Sequence, residues 1–214
     1  MPRAKPKKTK RSHVYLLIDR SGSMDERWEE ATQSINAYVN GLAEADPIVT
    51  LCLFYDETAG PQFDFYPAVL ASEWDGIGKH RPMGGTPLCD GIAKIAYLAL
   101  KGNYDRAAIV IMTDGLENSS RHTSKAAAKA VLDLCRARDW EVLFLGADFD
   151  AIPQAALLGS DFNKSINMRQ GFYGTAMTDL AGSTGAYFLT GQSVNIGDDM
   201  KARAMGQATG KKAA

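Results

Sequence analysis

Two unbroken apolar runs set the frame for this chain. Val14-Tyr15-Leu16-Leu17-Ile18 leads straight into Asp19-Arg20-Ser21-Gly22-Ser23, and Ala107 to Thr113 leads into Asp114-Gly115. A continuous run, as opposed to strict apolar–polar alternation, is the pattern of a strand covered on both faces. Each such strand needs helices on both sides, and each delivers an acid where it stops.

The intervening segments supply those helices. From Asp25 the period changes, and Trp28, Ala31, Ile35, Tyr38, Val39 and Leu42 fall at helical spacing. Glu26, Glu29 and Glu30 lie near the start of that helix, where negative charge suits the dipole. Ile48 to Tyr55 reads as a second strand and Gln62 to Leu70 as a third. The short turn Thr58-Ala59-Gly60-Pro61 makes them antiparallel neighbours. Met83-Gly84-Gly85-Thr86-Pro87 is a tight loop before a helix with Leu88, Ile92, Ile95 and Ala99 on its apolar face. Thr123 to Arg138 forms an alanine-rich helix, and Glu141 to Gly146 a strand ending in Ala147-Asp148. Ile152 to Leu158 is a short helix and Phe162 to Met168 an edge strand.

This order predicts an α/β fold: a doubly wound, mostly parallel central sheet with one antiparallel edge strand and helices on both faces. The expected division is a basic disordered tail over 1–11, a domain over 12–190 and a loosely held tail over 191–214. Beyond Gln170 the sequence is rich in Gly, Ser and Thr, with moderate apolar content to Leu189. Gly171, Gly174, Gly182 and Gly185 would each cost a helix there roughly 1 kcal/mol relative to alanine, which leaves the last element in doubt.

A chain of 214 residues can bury a sizeable core without disulfides. Cys52, Cys89 and Cys135 are widely separated, with no CxxC or Cys/His cluster, which argues against zinc and for buried, reduced thiols. The net charge of −1 neither points to nucleic acid nor excludes it, so such a claim rests on local charge. One local excess exists, at Arg3, Lys5, Lys7, Lys8, Lys10 and Arg11. It reads either as a weak nucleic-acid contact or as a solubilising extension. No signal-like apolar segment follows it, and no run approaches the roughly 18 residues of a membrane helix. A cytoplasmic protein with no membrane partner is the expectation.

In open α/β sheets ligands bind beyond the carboxyl ends of the strands, where the strand order reverses. If the strands ending in Asp19 and Asp114 are central neighbours, their acids reach the same edge. The glycine-loosened loop carrying Thr86 can fold over that edge. Asp19, Ser21, Ser23, Thr86 and Asp114 then converge, and carboxylates with hydroxyls and water suit a hard cation such as Mg²⁺.

Three motifs carry a resemblance to a known family. Asp19-x-Ser21-x-Ser23 after the first strand, Gly84 to Leu88, and Thr113-Asp114-Gly115 together resemble the von Willebrand factor A family over roughly Ser12 to Met168. That resemblance implies a metal-ion-dependent adhesion site. Ser21, Ser23 and Thr86 would coordinate Mg²⁺ or Mn²⁺ through hydroxyls, with Asp19 and Asp114 binding directly or through water. An Asp or Glu of a protein partner would complete the shell. Two further residues leave readings open. Arg20 steers acidic partners or points to solvent, the latter favoured. Asp25 supports a second cation or, as favoured, simply starts a helix.

Competing chemistries fit less well. Phosphatases with an aspartyl nucleophile want a second acid two residues on, and that residue is Ser21. No G-x-S-x-G elbow is present, and Gly206 to Lys212 has the wrong spacing for a phosphate loop. His13, His80 and His122 read as surface or packing residues. The expectation is a protein-binding module and not an enzyme, with metal-assisted phosphoester hydrolysis as the alternative.

Overall fold

In a computed structural model, residues 11–208 are described, and the basic tail with its nucleic-acid reading lies almost wholly outside them. The first apolar run forms strand β1 (Ser12–Asp19), buried at every position. On one side it pairs in parallel with β2 (Ile48–Glu57), and on the other with β5 (Arg106–Thr113). The run then continues outward through β6 (Glu141–Ala147) to β7 (Ser165–Met168), all parallel. Beyond β2 the chain turns back as β3 (Gly60–Phe65), antiparallel to it, and β4 (Val69–Leu70) prolongs the same edge. Strand order is β3-β2-β1-β5-β6-β7, so its direction of growth reverses between β1 and β5.

Alternate residues of β1 serve two cores. Val14, Leu16 and Ile18 pack with α1 (Trp28–Gly41), α5 (Tyr173–Thr190) and α6 (Asp198–Ala204). Tyr15 and Leu17 face α2 (Leu88–Lys101), α3 (Lys125–Arg136) and α4 (Ile152–Leu157). The helices therefore cover both faces, as the continuous apolar runs require. The three cysteines are free and buried.

Two expectations are corrected at the C-terminal end. The glycine-rich stretch after Gln170 does form a helix, 18 residues long. Its intrinsic penalty is overcome by burial of Tyr173, Met177, Leu180, Tyr187 and Phe188, mostly against α1. The two helices approach so closely that a Cβ at Gly41 would sit 2.7 Å from Ala181 Cβ. The following segment is not a loosely held tail as far as Ala204. Val194 and Ile196 are 1% exposed, the Ile196 N–H donates to Asn163 O, and the Arg169 N–H donates to Ala204 O. Those contacts join distant segments, and no periodicity in the local sequence announces them. The third strand is also interrupted around Pro67, which has no N–H to give a ladder.

Candidate metal centre

At the β1/β5 switch point Ile18 pairs with Met112, so Asp19 and Asp114 leave the sheet on one edge. Asp19 is fully buried. Its Oδ1 accepts the Ser21 N–H at 2.7 Å, and its Oδ2 accepts the Thr113 hydroxyl at 2.6 Å. These bonds turn the chain sharply after β1 and aim Ser21 back across the edge. A turn of 3-10 helix over Gly22–Arg27 follows, bringing Ser23 Oγ to 3.1 Å from Ser21 Oγ. Ser23 Oγ in turn donates to Asp114 Oδ1 at 2.7 Å. Four of the sequence-predicted residues thus form one continuous string of contacts.

Thr86 arrives by clamping. The Met83 N–H donates to Arg20 O, the Gly22 N–H to Gly84 O, and the Asp56 N–H to Gly85 O, pinning this loop between the ends of β1 and β2. Gly84 is needed there. Its φ is +68°, and an added Cβ would lie 1.5 Å from Asp56 O. Thr86 is 2% exposed and makes no side-chain cap to α2, while its Oγ1 lies beside Gly115. Its backbone is bracketed by Asn118, which accepts the Thr86 N–H through Oδ1 and donates its own N–H to Thr86 O.

Several positioning residues have no signature in the motifs. Glu117 collects the N–H groups of Cys89, Ser119 and Ser120 and the Ser120 hydroxyl. Buried Gln154 donates to Gly115 O and accepts the Glu117 N–H, so α4 braces the loop after β5. Arg27 donates to Asp114 Oδ2 at 3.2 Å and to Ser23 O at 2.8 Å, and reaches Asp148 at 3.4 Å. Its place four residues beyond Ser23 in a helical turn is the one signal that would have found it. Asp148 follows β6 as Asp114 follows β5, and Asp19 is the last residue of β1.

Arg20 departs from expectation. It does not point to solvent, being only 7% exposed. Its guanidinium lies 3.6 Å above the Tyr55 ring, pairs with Asp64 at 2.9 Å and donates to His80 Nδ1. His80 is tied on its other side to the Tyr66 hydroxyl. Asp25 is exposed.

The donor set suits a hard divalent cation. It offers two carboxylates and three hydroxyls, with no sulfur or imidazole. Burial pushes the Asp19 carboxyl up to about 7, against the pull of the Thr113 and Ser21 hydrogen bonds, and Asp114 adds to the rise. Asp114 is raised too, first by burial, although Ser23 and Arg27 draw it down. Burial therefore disfavours bare negative charge at both acids, a cost that a cation at this edge would offset.

No family model matches the chain. Among curated proteins it is 28% identical over 131 residues to the calcium-activated chloride channel regulator 3A-1 of Mus musculus, covering 58% of this chain and 14% of that protein. Among solved structures the vWF domain of the type V pili tip protein Mfa5 from Porphyromonas gingivalis aligns with a TM-score of 0.62 at 12% identity. That match covers 82% of this chain and 95% of the other. The pilus adhesin SpaC from Lactobacillus rhamnosus GG gives 0.65 at 12% identity, over 86% of this chain and 30% of the adhesin. A von Willebrand factor type A structure from Catenulispora acidiphila gives 0.58 at 12%, over 83% and 43%. The likeness at these identities is one of fold, and this chain spans only a minor part of the mouse relative and of the adhesin.

Proposed function

We propose that the chain is a divalent-cation-dependent protein-binding module. In it Asp19, Ser21, Ser23, Thr86 and Asp114 hold Mg²⁺ or Mn²⁺, and an Asp or Glu of a partner protein completes the shell. The observation that carries this proposal is the contact string from Asp19 through Ser21 and Ser23 to Asp114, closed over by the Thr86 loop.

A bound divalent ion supplies concentrated positive charge and a coordination position open to exchange. The chain's own residues do the rest. Asp19, anchored by Thr113 and the Ser21 N–H, fixes the buried floor of the site. Ser23 is exposed and marks the side from which a partner's carboxylate enters. Arg27 pairs with Asp114 from the flank and offsets part of its charge. The surrounding surface comes from residues 74–83 and 117–121. Arg20 contributes to it only indirectly, by tethering His80 in the first of these loops.

A binding role is favoured over catalysis because Ser21 stands where an aspartyl phosphatase needs its second acid. None of the three histidines pairs with a carboxylate among the described residues. The fold is shared with a pilus adhesin. Among the described residues no helix is long and apolar enough to cross a membrane.

Affinity capture in Mg²⁺ and in EDTA, with Asp19→Ala as control, tests the proposal. Partner recovery should vanish in EDTA and in the variant. Recovery unchanged in EDTA would overturn it.

A further inference from the structure

A second concavity lies away from the metal centre, where β1 begins. It is a groove of about 980 Å³ between α2 and the β1–β2–β3 side of the sheet, a size at the upper end of small-molecule sites, about 300–1,000 Å³. Its walls are aromatic. The His13 ring stacks on Tyr15 with centroids 3.9 Å apart and meets the edge of Tyr104 at 4.6 Å, and Phe63 closes the far side.

His13 is 3% exposed, and its Nε2 is engaged by the Thr50 hydroxyl at 2.9 Å. The other ring nitrogen, Nδ1, is buried without any hydrogen-bond partner, although the ring lines the groove. Buried polar atoms are rarely left so, and one that is calls for an explanation. Burial also holds the His13 pKa down at about 4, so the ring is neutral and Nδ1 offers a single donor or acceptor.

The exposed charge on the groove's rim is positive. Lys94 and Lys101 stand on its rim, exposed, and neither makes an ion pair among the described residues. Lys94 lies over the Phe63 ring at 5.0 Å. The one acid in the lining, Asp90, already accepts the N–H groups of Arg121 and His122. Aromatic walls and two exposed cations without an ion-pair partner define a complementary ligand.

We propose that this groove binds a small planar aromatic compound bearing a carboxylate or sulfonate. The ring system packs among Phe63, Tyr15 and Tyr104, where offset and edge-on contacts are favourable. The anion faces Lys94 and Lys101. This site is independent of the cation centre and needs no metal.

The test is an amide-resolved NMR titration of the whole chain with 1-naphthoate, and with 1-naphthalenemethanol as its uncharged counterpart. Saturable shifts should centre on residues 13–15, 63 and 94–104, and the alcohol should bind about tenfold more weakly. The double change Lys94→Glu with Lys101→Glu should weaken naphthoate about tenfold while leaving the unfolding midpoint in place, because both side chains are exposed. Absence of shifts at millimolar naphthoate, shifts centred elsewhere, equal binding of the alcohol, or indifference to the charge reversal would each overturn the proposal.

Discussion

Ser23 Oγ donates to Asp114 Oδ1 at 2.7 Å, although 91 residues separate the two. The bond ties the loop after β1 to the loop after β5 at the edge where the sheet changes direction. Because Ser23 is exposed, Ser23→Ala should cost less than about 1 kcal/mol in urea unfolding. The same change should weaken Mg²⁺ binding about tenfold by calorimetry, since it removes both a ligand and the restraint on Asp114.

Asp19→Asn should separate stability from function. The Asp19 carboxyl is raised from 3.8 to about 7, so the metal-free fold prefers its protonated form. That contribution is fully present below about pH 3.8 and is lost as pH rises through 7. The neutral amide keeps the preferred charge state at all pH values. The Thr113 hydroxyl can turn to donate to Gly115 O at 3.1 Å and so accept from the new amide. In EDTA at pH 8 the variant should unfold at higher urea than the parent, by about 1–3 kcal/mol, and the gap should close towards pH 4. Cation binding should be abolished, a stability–function exchange of the kind common at functional sites.

Arg27→Gln should tighten cation binding. A guanidinium 3.2 Å from Asp114 opposes the entry of a second positive charge. Removing it should favour Mg²⁺ by about 1 kcal/mol, several-fold in Kd, at low salt, with a smaller gain at high ionic strength.

Ending the chain at Gly191 should destabilise it. Val194, Ile196 and Met200 are buried in the same core as α1 and α5. Full burial of such side chains contributes about 1.5–3 kcal/mol each, so a loss of at least about 3 kcal/mol in urea unfolding is expected. A removable tail would leave the midpoint unchanged.

The sheet and the two acids were legible because a strand covered on both faces writes its burial into every residue, as Val14 to Ile18 does. The convergence of Asp19, Ser21, Ser23 and Asp114 was legible because the two acids stand at the ends of central strands and the two serines follow the first within four residues. α5 was obscured because propensity counts its glycines while its stability comes from contact with α1, as at Gly41 and Ala181. Val194 and Ile196 were missed for a similar reason, their burial being set by a core built elsewhere. Arg20 misled because a charged residue in a loop is ordinarily solvated, whereas Tyr55, Asp64 and His80 reach it from segments 35 to 60 positions away. Asp148 carried the strand-end signal, but only the fold brings it to Arg27.

The most direct measurement is a calorimetric titration of MgCl₂ and of MnCl₂ into the EDTA-stripped chain, beside Asp19→Ala and Thr86→Val. One saturable site in the parent, lost in Asp19→Ala and weakened in Thr86→Val, is the predicted result. No binding in the parent, or a site of unchanged affinity in Asp19→Ala, would contradict a cation centre at the end of β1.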